Sequence, residues 1–274
     1  MNICLILDNP ETPNHPVIGT MLQQLQERHS VRLLDVRPLT SAQVIAEEER
    51  HPLADLYLLK SHAPQAVELA HELEGRGALV VNSWASTLAC QNRVLMAERM
   101  HAAQLPWPRT WSFTTLGDLL RQPDVLATFT FPLIIKSAYS HRGDLVQKLH
   151  SAADIEALNA RWASEPVVLQ AFARGDGWDQ KLWVIDGHLY AARRRTALEV
   201  GASATDVPLA DVPAEWHQIA LEIGRVFDLH LYGLDLVLTD HGPVVVDVNG
   251  FPGFRGWPDA ASLLVSLVER LLLR

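Results

Sequence analysis

Cysteine is scarce in this chain of 274 residues. The two cysteines, Cys4 and Cys90, lie far apart and lack the CxxC spacing of redox or zinc motifs. A disulfide framework is therefore not expected, and the pattern favours a reducing cytoplasm. Apolar runs fall well short of the roughly 20 residues of a membrane helix, and the N-terminus lacks the features of a signal peptide. We expect a soluble, cytoplasmic protein without a membrane partner.

Positive charge is the second shortage. The net charge is -9, and no basic stripe rich in aromatics occurs, which argues against a nucleic-acid partner. The GxGxxG of dinucleotide-binding folds, the HExxH of zinc enzymes and the GxSxG of serine hydrolases are also missing. With 48% apolar and 20% charged residues, the composition is typical of an ordinary globular protein with a large core.

Apolar runs and helical stripes alternate in the first third of the chain. Residues 2–8 and 31–36 are short apolar runs on either side of a helical stripe over residues 17–25. The same order recurs over residues 54–83. Such strand–helix–strand units form parallel sheets. Residues 1–84 are therefore predicted to be a small N-terminal α/β domain with a mostly parallel sheet.

Strands and hairpins dominate the rest of the chain. The spacing predicts one long helix over residues 87–104, ended by the two prolines of LPWPRTW. Farther along, the pair Asp186-Gly187 between alternating runs predicts a hairpin. A helix is expected over residues 213–227, and an amphipathic helix at the C-terminus would serve as core or as an interface.

Oxygen-bearing side chains interrupt the last apolar hairpin. Asp235 lies in GLDLVL, and Asp247 and Asn249 lie two residues apart in PVVVDVNGFPG, so that their side chains point to one strand face. If residues 236–239 pair antiparallel with residues 243–246, Asp235 lies near both. Two carboxylates and an amide oxygen suit Mg²⁺. The alternative is that the aspartates are half-exposed strand residues without a ligand.

Cationic side chains lie at or near the ends of other predicted strands. Lys136 closes FPLIIK in front of a polar loop, residues 137–144, Lys181 follows Asp179 on one strand face, and Arg193–Arg195 end the next run. Each has an ordinary explanation: a lysine that extends to solvent, an exposed ion pair, or a solvated strand end. Each also suits an anionic ligand such as a phosphate.

Taken in chain order, these segments resemble the ATP-grasp superfamily over nearly the whole length. ALVVNSWASTLACQNRVLMAERMHAAQLPWPRTW is similar to a segment of RimK-type carboxylate–amine ligases, the alpha-L-glutamate ligase group, and GLDLVL with VVDVNGFPGFRG is similar to their metal hairpin. The resemblance implies the α+β ATP-grasp fold. Residues 85–274 would clamp ATP between a central lobe, about 108–170, and a C-terminal lobe, about 171–274.

The resemblance also implies roles for individual residues. ATP would be bound by Arg93, Lys136, Gln170, Ala171, Phe172, Asp179 and Lys181. The catalytic cations facing the γ-phosphate or the substrate would be Lys181, Arg194 and Arg195. Two Mg²⁺, for which Mn²⁺ is a substitute, would be held by Asp235, Asp247 and Asn249. Within the first set, Lys136 would meet the α and β phosphates, and the backbone of Ala171 and Phe172 the adenine.

The implied activity is ligation of a small-molecule or peptide carboxylate to an amine acceptor. ATP would phosphorylate the carboxylate, and the amine would attack the acyl phosphate to give an amide or peptide bond, ADP and phosphate. The segment DNPETPNHP after the first strand is a candidate substrate loop. The chain departs from the family pattern at Arg93, usually lysine, at Asp247, usually glutamate, and in a loop with only Gly143. A homo-oligomer is left open.

Two other functions remain open at this point. Inositol polyphosphate kinases share this fold, and their metal strand, Asp-x-Asn-x-Phe-Pro-Gly, is closer to DVNGFPG than the ligase version is. A small-molecule kinase is therefore the alternative to a ligase, and a nucleotide-binding module without catalysis is the third hypothesis. An amide product that requires an amine distinguishes the ligase from a kinase, which needs only a hydroxyl acceptor.

Overall fold

The computed structural model describes residues 1–140, 143–196 and 205–273, and part of the loop 137–144 lies outside these ranges. The described residues form three β-sheets flanked by helices. This mixture of helices and sheets is consistent with the α+β class that the sequence predicted.

The first sheet is parallel, as predicted, with strand order β2-β1-β3-β4. Its elements are β1 (Asn2–Leu7), α1 (Pro16–Gln26), β2 (Ser30–Asp35), α2 (Ser41–Glu48), β3 (Leu56–Lys60), α3 (Pro64–Gly75) and β4 (Val80–Val81). Because side chains alternate along a strand, Ile3 and Leu5 pack with α1, whereas Cys4 and Ile6 pack with α2 and α3. The strand order reverses between β1 and β3, so the chain leaves these two neighbours toward opposite sides.

The second sheet is antiparallel, with strand order β5-β8-β6-β7. Its elements are β5 (Thr110–Phe113), α6 (Leu116–Leu120), α7 (Pro123–Leu126), β6 (Leu133–Ser137), β7 (Val146–Leu149), α8 (Ala152–Trp162) and β8 (Val167–Ala171). Leu133 and Ile135 of β6 are buried beneath the helices. The alternate residues, Ile134 and Lys136, therefore face the other side, where the cleft described below lies.

The third sheet is also antiparallel, with strand order β11-β10-β9-β12-β13. Its elements are β9 (Trp178–Ile185), β10 (His188–Arg195), β11 (Val207–Pro208), α9 (Ala214–Phe227), β12 (Leu231–Thr239) and β13 (Gly242–Gly250). The predicted hairpin at Asp186-Gly187 is confirmed: both residues have positive φ, 49° and 84°, as a two-residue turn between twisted strands requires.

The single long helix predicted over residues 87–104 is wrong. The chain forms two helices, α4 (Trp84–Gln91) and α5 (Arg93–Ala102). Asn92 between them is extended, with φ -107° and ψ 104°, and its side-chain oxygen accepts hydrogen bonds from the amides of Val94 and Leu95. Asparagine competes well for exposed helix-end amides, so a new helix begins where periodicity alone predicts continuation.

The C-terminal helix α10 (Ala260–Leu272) packs against α1 of the first sheet. Its buried leucines, among them Leu264 and Leu267, share one apolar cluster with Ile18 and Met21. One face of this helix is therefore core, which decides between the two roles that the sequence left open. In the described part of the chain, every helix is too short or too polar to traverse a bilayer.

Asn82 joins the first sheet to the third. Its side chain is 1% exposed, its Oδ1 accepts from the amides of His230 and Leu231 at 3.0 and 3.1 Å, and its Nδ2 donates to the Leu231 carbonyl at 2.7 Å. The amide group thus satisfies backbone polar groups at the start of β12 that would otherwise be buried unpaired. The Val-Asn-Ser segment therefore has a structural role in positioning the hairpin β12–β13.

Candidate active site

A cleft of about 650 Å³ lies between the second and third sheets. The sequence-predicted site residues that line it are Arg93, Lys136, Gln170, Ala171, Phe172, Asp179, Lys181, Asp235 and Asp247. Arg194 and Asn249 line an adjoining cavity of about 230 Å³, to which Lys181 and Asp235 also contribute. Lys181 and Asp235 therefore lie at the junction of the two spaces.

The two aspartates of the last hairpin face each other. Asp235 on β12 is the register partner of Asp247 on β13, and Gly233 is the partner of Asn249. A bulge follows between Asp235 and Leu236, and bulges turn the neighbouring side chains out of the regular ladder. The predicted antiparallel pairing is confirmed, and it brings both carboxylates to one cleft wall.

Lys181 neutralises one of these carboxylates. Its Nζ lies 2.6 Å from Asp235 Oδ2, because Lys181 on β9 is the register partner of Asp235. Burial opposes the charged ammonium, but the charge and hydrogen bond of Asp235 outweigh it and raise the pKa of Lys181. Lys181 therefore pairs with Asp235 and not with Asp179, the partner that the sequence had left open. Burial raises the pKa of Asp179 despite the opposing effect of Lys181.

Lys136 is a buried cation at the opposite wall. Its side chain is 8% exposed, and its Nζ donates to the Val246 carbonyl at 2.7 Å. Among the described residues, no carboxylate lies within ion-pair distance of this nitrogen. Burial lowers the pKa of Lys136, although the negative charge of Asp247 counteracts the effect. A buried ammonium without an ionic partner suits an anionic ligand.

Arg93 holds the loop 137–144 at both of its ends. One guanidinium nitrogen donates to the Ser137 carbonyl and to Asp144 Oδ2, each at 2.8 Å, and the Arg93 amide donates to the Ala138 carbonyl. Within the described residues, the buried Nε of Arg93 has no hydrogen-bond partner. Arg93 therefore ties together the two described ends of the loop, Ser137–Ala138 and Asp144. The sequence did not show this role because Asp144 lies 51 residues away.

The strand β8 and the residue after it form the floor of the cleft. Gln170 is 2% exposed, and its Nε2 donates to Thr110 Oγ1 at 3.2 Å. The Ala171 amide already donates to the Arg109 carbonyl at 2.9 Å. The Ala171 amide is therefore not available to an adenine ring. The backbone groups that could contact adenine here are the carbonyl of Ala171 and the backbone of Phe172.

Lys148 is a cleft residue that the sequence analysis missed. Its Nζ lies 3.9 Å from the centre of the Phe172 ring, and both line the cleft. The available signal was the alternation in DLVQKLH, which places Val146 and Lys148 on one strand face; both indeed line the cleft.

Arg194 and Arg195 point to opposite faces of β10. Arg194 forms a bidentate ion pair with Asp206, and both nitrogen–oxygen distances are 2.7 Å. The exposed guanidinium of Arg195 lies 4.3 Å from the Trp178 ring, on the same face as Arg193. Strand alternation turns Arg195 away from the cavity that Arg194 lines. The role of Arg195 as a catalytic cation stays a prediction.

This difference predicts unequal effects of two alanine substitutions. We expect Arg195→Ala to leave the rate of ADP formation within about twofold of wild type, because an exposed cation–π contact contributes only about 0.5–1 kcal/mol. Arg194→Ala should lower the rate at least tenfold, since it removes a cation from the cavity that Lys181 and Asp235 also line. Steady-state assays of both variants measure this, and equal rates would contradict the orientation argument.

The oxygen atoms of the hairpin fit a magnesium site. Within the described ranges no group of three histidine, cysteine or acidic side chains gathers to hold a metal. A site at the hairpin would therefore draw on two carboxylates and one amide oxygen. Mg²⁺ is commonly held by one or two protein carboxylates and completes its shell with phosphate oxygens and water. Asp235, Asp247 and Asn249 would hold the ion on these terms.

Comparison with known proteins agrees with the geometry. A family model described as the RimK-like ATP-grasp domain matches residues 113–263. Human N-acetylaspartylglutamate synthase A is 24% identical over 210 residues, 72% of this chain and 52% of that protein. The probable alpha-L-glutamate ligase of Hydrogenovibrio crunogenus is 30% identical over 157 residues, 51% of this chain and 50% of that protein.

A solved structure supports the same class. The RimK domain ATP-grasp protein of Sphaerobacter thermophilus aligns over 97% of this chain and 98% of its own, with a TM-score of 0.76 and 19% identity. Fold and cleft together define an ATP-grasp protein. Because the family match covers more than half of the chain, the chain belongs to the RimK-like ATP-grasp family. It spans about half the length of the curated relatives named above.

Proposed function

We propose that this protein is an ATP- and Mg²⁺-dependent carboxylate–amine ligase that acts through an acyl phosphate. Membership of the RimK-like ATP-grasp family supports this, as do relatives named as a synthase and a ligase. Those names favour the ligase over the kinase hypothesis. They also suggest glutamate, or an amino acid like it, as the amine.

The observation that carries the proposal is the arrangement of charges around the cleft. A buried ammonium, Lys136, lies in the wall opposite the facing carboxylates Asp235 and Asp247, and Lys181 lies beside them. Phosphoryl transfer requires positioned positive charge more than a protein base, because negative charge is spread over the transferred group. The cleft brings Lys136 and Lys181 into one space with two carboxylates that are suited to a metal cation.

The residues divide into nucleotide-binding and reaction-supporting groups. The carbonyl of Ala171 and the ring of Phe172 would contact the base, Asp179 the ribose, and Lys136 the α and β phosphates. Lys181 and Arg194 would face the γ-phosphate and the carboxylate that receives it. Bound Mg²⁺, as two ions with Mn²⁺ as a substitute, would neutralise the phosphate charge. Each assignment is the one that the resemblance to ATP-grasp ligases implies, and it is supported by the side chain lining one of the two cavities.

The test is ADP release by the purified protein with Mg²⁺, screened over pairs of one carboxylate and one amine. We expect release to need both substrates, and the Asp247→Ala, Asn249→Ala double variant to lose it by at least 100-fold. The matched control is Asp240→Ala, which removes an exposed carboxylate from the turn of the same hairpin. Release with a hydroxyl acceptor alone would indicate a kinase, and ATP binding without release would indicate a non-catalytic module.

A further inference from the structure

A separate cavity of about 540 Å³ lies at the carboxyl edge of the first sheet. Asp8 follows β1, Lys60 ends β3, and both line it. These are the two neighbouring strands between which the strand order reverses. In open parallel sheets, ligands bind in the crevice at this switch point, where the chain departs in two directions. Topology alone therefore marks this cavity as a binding site.

The far wall of the cavity comes from the turn after the metal hairpin. Phe251, Gly253 and Arg255 line it. His15 packs against this turn so closely that a Cβ added to Gly253 would lie 2.9 Å from the His15 Nε2. Segments far apart in the sequence thus enclose one space, and the candidate substrate loop DNPETPNHP is one of them.

Lys60 and Arg255 place two positive charges in this cavity. Lys60 Nζ donates to the Phe251 carbonyl at 2.8 Å, and among the described residues no carboxylate lies within ion-pair distance of Lys60 or Arg255. Among the residues that the structure describes, the buried Nδ1 of His15 has no hydrogen-bond partner. Lys60 Nζ also lies 5.0 Å from the centre of the Phe251 ring. An ammonium held by a carbonyl and a ring is less well compensated than one paired with a carboxylate. It would be stabilised by an anion.

The acidic side chains of the same cavity are already engaged. Asp8 Oδ2 accepts from the His62 amide at 2.6 Å, and Glu11 Oε2 accepts from the Asn14 side chain at 2.9 Å. These carboxylates brace the loop and do not pair with Lys60. In a chain with net charge -9, the cavity therefore offers its unpaired charge to an anionic ligand.

The cavity adjoins the proposed reaction site. His62 and Gly250 line both this cavity and the 230 Å³ cavity that holds Lys181, Asp235 and Asn249. A molecule anchored at Lys60 can therefore extend toward the place where the γ-phosphate is transferred.

We propose that this cavity binds the second, non-reacting carboxylate of the acid that the ligase activates, with Lys60 and Arg255 as anchors. The acid is then a dicarboxylate: one carboxylate lies against Lys60 and the other receives the phosphate. The identity of the reacting end rests on the proposed ligase function. The binding of an anion at Lys60 is independent of the ligase function, and it can be measured without nucleotide.

The test is calorimetric titration of the ATP-free protein with glutarate, a dicarboxylate probe, and with butyrate, its monocarboxylate counterpart. We expect wild type to bind glutarate, and Lys60→Met to weaken this binding roughly 10- to 100-fold, the effect of losing a hydrogen bond to a charged group. Butyrate should bind wild type more weakly than glutarate. Arg76→Met, which removes an exposed cation of the same domain, should match wild type.

A pH series adds a second readout. Burial lowers the pKa of Lys60 to about 8, although Asp8 raises it. His15 and Arg255 also face this group, and burial, Lys60 and Arg255 lower the pKa of His15, so that it stays neutral above pH 7. Glutarate affinity should therefore fall from pH 7 to pH 9 in wild type and stay level in Lys60→Arg, which keeps its charge.

Three results would overturn the proposal: no binding of glutarate by wild type, equal binding of glutarate and butyrate, or equal binding by wild type and Lys60→Met. The first two need no variant, so a misfolded substitution cannot obscure them. A different result is that the protein binds glutarate through Lys60 but forms no amide with any substrate pair. That result would overturn the proposed ligase function and would still support an anion site at Lys60.

Discussion

Asp235→Asn is expected to lower the rate of ADP release by roughly 100- to 1000-fold, the range observed when one group that stabilises transition-state charge is removed. Asp235 lies at the junction of the two cavities, faces Asp247 across the hairpin, and binds Lys181 at 2.6 Å. The amide keeps the shape of the side chain but lacks the charge that a magnesium ion requires. Steady-state ADP release at saturating MgATP measures the loss.

A double variant separates the metal role of Asp235 from its ion pair. Asp235→Asn leaves the partly buried ammonium of Lys181 without a carboxylate, which should also lower the free energy of unfolding. Asp235→Asn combined with Lys181→Met removes both charges and should recover stability without recovering activity. Asp240→Asn, in the exposed turn of the same hairpin, should behave as wild type. Near-normal activity of Asp235→Asn would contradict the metal assignment.

Lys136→Met is expected to abolish most ATP binding while leaving stability equal or higher. Among the described residues, the buried ammonium of Lys136 has only a carbonyl partner. Its replacement by an apolar side chain of similar length therefore removes a desolvation cost. The lost contact to phosphate should weaken the binding of ATP roughly 10- to 100-fold, as expected for a hydrogen bond to a charged group. Urea unfolding with and without MgATP measures both effects, because a ligand stabilises in proportion to its affinity.

The matched control for this measurement is Arg121→Met. It removes an exposed cation of the same lobe, and MgATP should protect it as well as wild type. Undiminished protection of Lys136→Met by MgATP would show that the lysine does not contact the nucleotide. A fall in stability of several kcal/mol without MgATP would show instead that Lys136 has a structural role, as the partner of a buried charge would.

Features that depend on local periodicity could be predicted from the sequence. Alternation in GLDLVL and PVVVDVN placed Asp235 near Asp247 and Asn249 in an antiparallel hairpin, and the structure pairs Asp235 with Asp247. The Asp186-Gly187 pair predicted a hairpin because few residues adopt positive φ at both turn positions, and the hairpin is present. Periodicity and turn chemistry are properties of neighbouring residues, so a single chain displays them directly.

Features that depend on packing could not be predicted in this way. The sequence shows three consecutive arginines, and alternation separates Arg194 from its neighbours, but only the position of the sheet shows which face meets the cavity. Asn92 separates two helices because its side-chain oxygen accepts hydrogen bonds from the amides of the next turn. Periodicity gives no sign of such a competition.

By itself, the sequence determined the hairpin with its two carboxylates, the alternation of the cleft strands and the family to which the chain belongs. Only the tertiary structure decided that Lys60, His15 and Arg255 surround one cavity, and that Lys181 pairs with Asp235 instead of Asp179. The reason is physical: strand order, register between distant strands and the burial of charge arise from contacts between segments far apart in the chain. No local pattern records those contacts.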